Sequence, residues 1–303
     1  MWALQLLTYL AVLVLLGGIA AKIVKYAKAP MHLRWELYPI PHEQGKEGYG
    51  GSYMEEPDWW TKPRESDMVA EVRAMLEEML LIKALWHNNR AQWYASFPFH
   101  GGLYLLIGFV VLLLIGAVLE VAGLTVAASG NVILVLLHYL TIVVGVVGLA
   151  SSIFGAAYLL YRRFTDENLR QYSSPSDYFN LIFLLVVFGT AAVAWATVDP
   201  SFSALRGFVR GIITLSPVSV PALVSAEVVF VTLFMIYMPF THMLHFVAKY
   251  FTWHQVRWDD SPNIRGSAVS GRIMANLTKP VSWSAPHIQK GKSWAEVATE
   301  ENK

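Results

Sequence analysis

The 303-residue chain has no cysteine. Its absence removes disulfides, thiol nucleophiles, cysteine-ligated iron–sulfur clusters, blue-copper sites and covalent haem through a CxxCH motif. Charge is scarce as well. Asp, Glu, Lys and Arg make up 15% of the residues, against about a quarter in ordinary soluble domains. A net charge of +1 offers no basic field for nucleic acid, which excludes that class of partner. What the chain has instead is apolar residues, 55% of the total, with a mean hydropathy of +0.44, and this places most of it in lipid. Nine histidines are left as the good ligands for a transition metal.

A bilayer core takes about 20 apolar residues per helix. Five segments qualify, at 3–25, 97–119, 131–161, 178–198 and 222–250. They predict an all-α integral membrane protein, a five-helix transmembrane bundle with a long cytoplasmic loop and a C-terminal tail. No basic stretch precedes the first segment, and Lys22, Lys25 and Lys28 follow it, so it reads as a retained helix rather than a cleaved signal. Lys and Arg number ten in 22–95, three in 162–177 and eight in 249–303, with two between the fourth and fifth spans and none in the other short segments. Twenty-one against two puts the N-terminus outside and the first loop and the tail in the cytoplasm. The chain then divides into a first transmembrane helix (1–28), a cytoplasmic loop with an amphipathic helix (29–95), a four-helix core (96–250) and a cytoplasmic tail (251–303).

The loop opens on PMHLRWELYPIPHE and continues through PDWWTKP, rich in Pro and aromatics. In SDMVAEVRAMLEEMLLIKALW, Ser66 stands as a cap, and Val69, Val72, Leu76, Met79, Leu80 and Ile82 recur at helical spacing. The helix either lies on the membrane surface or docks a soluble partner. The tail, with its Trp, Gly and Ser, reads as an irregular arm along such a partner.

His32, His42, His87, His254 and His287 fall in cytoplasmic segments, where a solvated or capping role is the default. His100, His138, His242 and His245 fall inside the expected spans, where ionisable side chains are costly and functional. His100 opens the second span and His245 nears the inner end of the antiparallel fifth, so both reach a similar depth. Two neutral imidazoles facing across a bundle are the axial pair of a low-spin b haem, which needs no cysteine. Gly101 and Gly108 leave room for a flat macrocycle or serve plain helix packing, as Gly148 and Ser152 do. His242 projects about 60° from His245 and cannot share its iron. A second cofactor, a hydrogen bond to a propionate or quinone, and a core role all remain for it. His138 lies about 36 Å before Arg162, and Glu227 about 27 Å outward of His245 along a continuous helix. On that reading both occupy the outer half. Either His138 ligates a second haem, or His138 and Glu227 exchange protons beside a quinol, or Glu227 reaches to the interface. Arg90, Arg162, Arg163 and Lys249 edge the inner face, explained by topology or by propionate pairing.

FHGGLYLLIG around His100 and MPFTHMLH closing the fifth span resemble the cytochrome b subunits of the respiratory nitrate reductase gamma superfamily, over the five-span core. PMHLRWELYPIPHE and the long loop are similar to one branch, the membrane cytochromes of heterodisulfide-reductase-like complexes of the Dsr, Hme and Tmc type. The resemblance implies a bundle holding haem b in the cytoplasmic membrane of a prokaryote and exchanging electrons with menaquinone. It also implies sulfur metabolism and a cytoplasmic iron–sulfur partner resembling the catalytic subunit of heterodisulfide reductase. Several such complexes add a multihaem cytochrome c and further membrane subunits. Carried over by residue, His100 and His245 match the inner haem's axial ligands. The outer pair would stand at the places held here by Val110 and Glu227. The expectation is one haem at His100 and His245, and a second only if ligated differently, with His138 as the replacement.

Without cysteine the chain cannot carry electrons onward through clusters of its own. The first reading is an electron-transfer subunit of a quinone-linked oxidoreductase complex, with a partner to carry the electrons on, not catalytic alone on the soluble substrate. The alternative is a non-redox membrane anchor or a proton-coupled transporter, but no Gly/Pro-broken repeat of spans supports transport. A histidine-box metal enzyme fits poorly, because the His242–His245 pair is short and solitary.

Overall fold

The computed structural model describes residues 2–28, 44, 56–63, 67–253 and 265–300. His32, His42, His254, Ser66 and the PMHLRWELYPIPHE segment lie outside the described residues. In chain order the helices are α1 (Trp2–Ala27), α2 (Met68–Leu81), α3 (Lys83–Asn88), α4 (Arg90–Val121), α5 (Val132–Thr165), α6 (Glu167–Gln171), α7 (Pro175–Thr197), α8 (Ser203–Thr214), α9 (Ala222–Tyr237), α10 (His245–Trp253), α11 (Ala268–Leu277) and α12 (Trp294–Thr299). Five are long and apolar enough to cross a membrane: α1, α4, α5, α7 and α9 with the 3-10 turn Met238–Phe240. The protein is a multi-pass helical membrane bundle. Its chain forms two bodies, residues 1–17 with 76–241, and 18–75 with 242–303.

Local sequence sets the helix ends of the first body. Asn89 accepts the Gln92 amide at 3.0 Å to start α4, and Asn131 accepts the Ile133 amide at 2.9 Å to start α5. Ser174 and Asp177 form a capping box around Pro175 at the first position of α7. At the other end of the sequence range, the fifth helix is shorter than the apolar run 222–250 suggests. It ends at Tyr237 and tightens into the 3-10 turn Met238–Phe240 at Pro239, which has no amide hydrogen to offer, before Thr241 turns extended. The loop helix is likewise broken. Asp67 takes the Ala70 amide at 2.9 Å in α2, and Ile82 at φ 52 separates α2 from α3.

The tightest packing is an antiparallel seam between α4 and α5. On α5 it runs along His138, Thr141, Gly145, Gly148, Ser152 and Gly155, all buried. A Cβ on Gly102 would lie 2.5 Å from the Ser152 amide nitrogen, one on Gly155 2.6 Å from the Phe99 Cα, and one on Gly145 2.8 Å from the Phe109 ring. Small residues here let two backbones approach within van der Waals contact, which is how membrane helices associate. Gly148 and Ser152 are packing residues, as their spacing suggested. Gly101 has nothing within 4 Å of its Cβ position and Gly108 meets only Val144, at 3.9 Å. From the seam, α5 packs on α7, α7 on α9 and α8 on α4, while α4 packs extensively on neither α7 nor α9. Near its N-terminus α1 is tied down by two side chains. The Gln5 amide donates to the Ser216 carbonyl at 2.6 Å and the Tyr9 hydroxyl to the Ile212 carbonyl at 2.7 Å.

In the second body, Phe251 of α10 meets Tyr26 at 5.9 Å between ring centroids. The tail is more ordered than an irregular arm. Ser267 caps α11 and a Ser293–Glu296 box caps α12. Two isolated bridges, Pro280 with Ser293 and Ala285 with Ile288, hold the turn between them over buried Val269, Val281 and Ile288.

Candidate functional site

His100 sits two residues past Pro98 in α4. Its Nδ1 lies 2.8 Å from the Ser96 carbonyl oxygen and 3.2 Å from the Ser96 hydroxyl. A carbonyl only accepts, so Nδ1 carries the proton and donates, and Nε2 holds the lone pair a metal would take. His245 repeats the device in the second body. Its Nδ1 donates to the His242 carbonyl at 3.3 Å, across the 3-10 turn His242–Leu244. Metal-ligating imidazoles carry this backbone-fixed tautomer. His242 thus supplies a backbone oxygen, which leaves its own ring out of that arrangement.

Beside His100, the Tyr104 hydroxyl donates to the Met79 carbonyl of α2 at 2.6 Å. His100 shares an arc of α4 with Tyr104, Ile107, Val111 and Val118, all exposed, on the side away from the α5 seam. Among the described residues no cluster of three or more His, Asp or Glu side chains forms a metal-binding group. Each of His100 and His245, taken singly, has the donor chemistry of a haem ligand.

His138 has a different setting. It is 8% exposed and continues the α5 seam, where the register of Gly102 with Ser152 and Phe99 with Gly155 puts it level with Gly116. Over Gly116 crosses Arg206 of α8, whose Cδ would lie 2.7 Å from a Cβ there. Arg206 is 3% exposed. Its Nε donates to Glu120 at 2.7 Å and its Nη2 to the Val126 carbonyl at 2.8 Å. Arg210 reaches the other Glu120 oxygen at 3.5 Å. The charge of Arg206 acts on His138. Arg206 Nη1 and His138 Nδ1 are both buried without a hydrogen-bond partner. The sequence reading missed this cluster, having counted Arg206 and Arg210 only as the two cations between the fourth and fifth spans.

Glu227 is 7% exposed and feels the charge of Asp199, which caps α8 through the Ala204 and Leu205 amides. No hydrogen bond or ion pair joins it to His138. Depths can be counted from one end of the body. There Arg162 donates to Gln92 at 2.9 Å, the Tyr178 hydroxyl donates to the Arg163 carbonyl at 3.0 Å, and the Tyr237 hydroxyl donates to Asn180 at 2.8 Å. At 1.5 Å per residue, His100 lies about 12 Å from that end, Glu227 about 15 Å and His138 about 36 Å. Glu227 thus lies between the level of His100 and the α8 end, where Asp199 acts on it.

A family model described as nitrate reductase gamma subunit matches residues 84–258, from α3 to beyond α10. No curated protein and no solved structure matches the chain.

Proposed function

The chain belongs to the nitrate reductase gamma-subunit family, a family of membrane cytochrome b electron-transfer subunits, and on that premise we propose that it passes electrons between menaquinone and an iron–sulfur partner through haem b held by His100 and His245. The single observation that carries this reading is the matched pair of imidazoles, each with Nδ1 donated to a local backbone carbonyl at 2.8 and 3.3 Å. Those contacts fix the orientation of each imidazole ring before any group arrives. Bound haem supplies a one-electron carrier where quinone chemistry moves two electrons and two protons. The protein's own tasks are ligand orientation, the open arc beside His100, and the handling of protons. Glu227, buried in α9 and within the field of Asp199, is the carboxyl suited to accept or release them. His138, deeper along α5, is a second titratable group whose neighbour is Arg206.

The partner belongs to the heterodisulfide-reductase-like class of the Dsr, Hme and Tmc complexes, on the cytoplasmic side. The excess of Lys and Arg in 22–95 and 249–303 supports that orientation, with the N-terminus outside. Helix α2 supports a docking role, since Met68, Val69, Val72 and Leu80 are exposed along it.

Haem content tests the reading. Pyridine haemochrome assays on the purified full chain are expected to give haem in wild type, and loss of the same haem in His100→Ala and in His245→Ala. His242→Ala keeps it, because its carbonyl remains. A colourless wild-type protein after expression with ample porphyrin would leave a membrane anchor or transporter as the reading.

A further inference from the structure

The tail segment 265–300 buries Val269, Val281 and Ile288 but turns its two tryptophans outward. Trp283 and Trp294 are 46% and 38% exposed, with ring centroids 6.4 Å apart. Arg265, Arg272, Lys279, Lys290 and Lys292 stand in the same stretch against only two carboxylates, Glu296 and Glu300, an excess of three positive charges. Lys292 pairs with Glu300, and Lys279 and Lys290 are exposed. Paired tryptophans flanked by lysines are what the headgroup region of a bilayer selects, since indole is amphipathic and anionic lipid attracts the cations. Protein–protein interfaces also favour Trp but are depleted in Lys, and three of these five cations are Lys. We propose that residues 265–300 lie on the anionic headgroup surface of the membrane that holds the chain. Trp283 and Trp294 enter the interface, and Lys279 and Lys290 face lipid phosphates. The surface is thus a lipid contact, and it is independent of haem ligation.

The absence of cysteine makes a direct test available, because Ser284→Cys is the sole thiol of the full chain. The labelled protein is placed in nanodiscs of phosphatidylcholine, alone or mixed with phosphatidylglycerol, and the dye beside Trp283 is quenched with lipids carrying a nitroxide near the headgroup. Strong quenching is expected with phosphatidylglycerol, falling in phosphatidylcholine alone and at high salt. Lys279→Gln and Lys290→Gln should each lower the ratio of docked to undocked tail about fivefold, and Trp283→Ala should lower it as well. Because Trp283 contacts Trp294, the exposed lysine variants keep the test valid if the tryptophan variant disturbs the tail fold. No quenching with phosphatidylglycerol overturns the proposal. So does quenching that ignores lipid charge and the lysine variants, and so does shielding that appears only when a redox partner is added.

Discussion

The two ends of the helical body use arginine in different ways. Near the start of α4 and the end of α5, Arg162 reaches Gln92 and Asp166, and Arg163 donates to Ser173 at 2.6 Å. These guanidiniums are partly buried edge residues that tie chain turns together. At the opposite end Arg206 is enclosed. Glu120 and the Val126 carbonyl hold two of its nitrogens and the third has no partner. A count of Lys and Arg treats both kinds alike and reads only topology. Position in the fold separates them, since a charge beside solvent is screened while a buried one must be matched by a fixed partner. The histidines follow the same division. His100 is aimed by a carbonyl toward an open arc, and His138 lies in the seam beside Arg206.

Removing one arginine from each end is the sharpest way to break the comparison. Arg206→Met leaves the half-buried Glu120 with only Arg210 beside it, and the expected loss of stability is about 3 kcal/mol. Adding Glu120→Met should restore much of it, because both charges then leave together. Arg162→Met should cost only about 1 kcal/mol, as its partner Asp166 remains partly exposed. Denaturant unfolding in detergent micelles would measure both. Equal losses at the two ends would mean that burial does not distinguish them.

The seam between those ends gives a medium-sized contrast within one pair of neighbours. Gly102→Ala must push the Ser152 backbone away, and overpacking of this kind costs about 1–3 kcal/mol. Gly101→Ala meets open space and should be neutral or stabilising by up to about 1 kcal/mol, the gain of Ala over Gly in a helix. Thermal unfolding of the two variants side by side separates them. Equal destabilisation would show that the α4–α5 approach is not set by Gly102.

Most of the span architecture was legible in apolar run length, and four spans end within a few residues of the helices that carry them. The fifth was overdrawn. FVAKYF continues the apolar run past Pro239, and hydropathy does not register a missing amide hydrogen. Glycine roles were half legible: both Gly101 and Gly102 stand beside His100, and only the register with Ser152 shows which one packs. The carbonyl partners of His100 and His245 could not be read, because backbone acceptors leave no mark in residue identity. Arg206 and Glu120 are 86 positions apart in the chain, and no spacing rule links them. Glu227 was found by its unusual place in an apolar helix, but its neighbour Asp199 is 28 positions away and no spacing rule announces it.

The gentlest test lies at the exposed end. Asp166 caps α6 through the Asn168 and Leu169 amides and pairs with Arg162 at 2.5 Å. The Leu169 amide first, and Arg162 second, hold its carboxyl below the ordinary 3.8. A depressed acid stabilises the fold at every pH above its unfolded value and loses that contribution as pH falls through the folded one. The α6 amides should therefore exchange hydrogen faster, relative to their intrinsic rates, as the medium is acidified from about pH 5 toward pH 2. Asp166→Asn keeps an N-cap acceptor but removes the proton site, so its exchange ratio should stay flat over the same interval. An identical slope in wild type and variant would assign the acid response to another carboxylate. The effect should be confined to α6 and the last turn of α5, and the amides around Gly116 and His138 should not follow it.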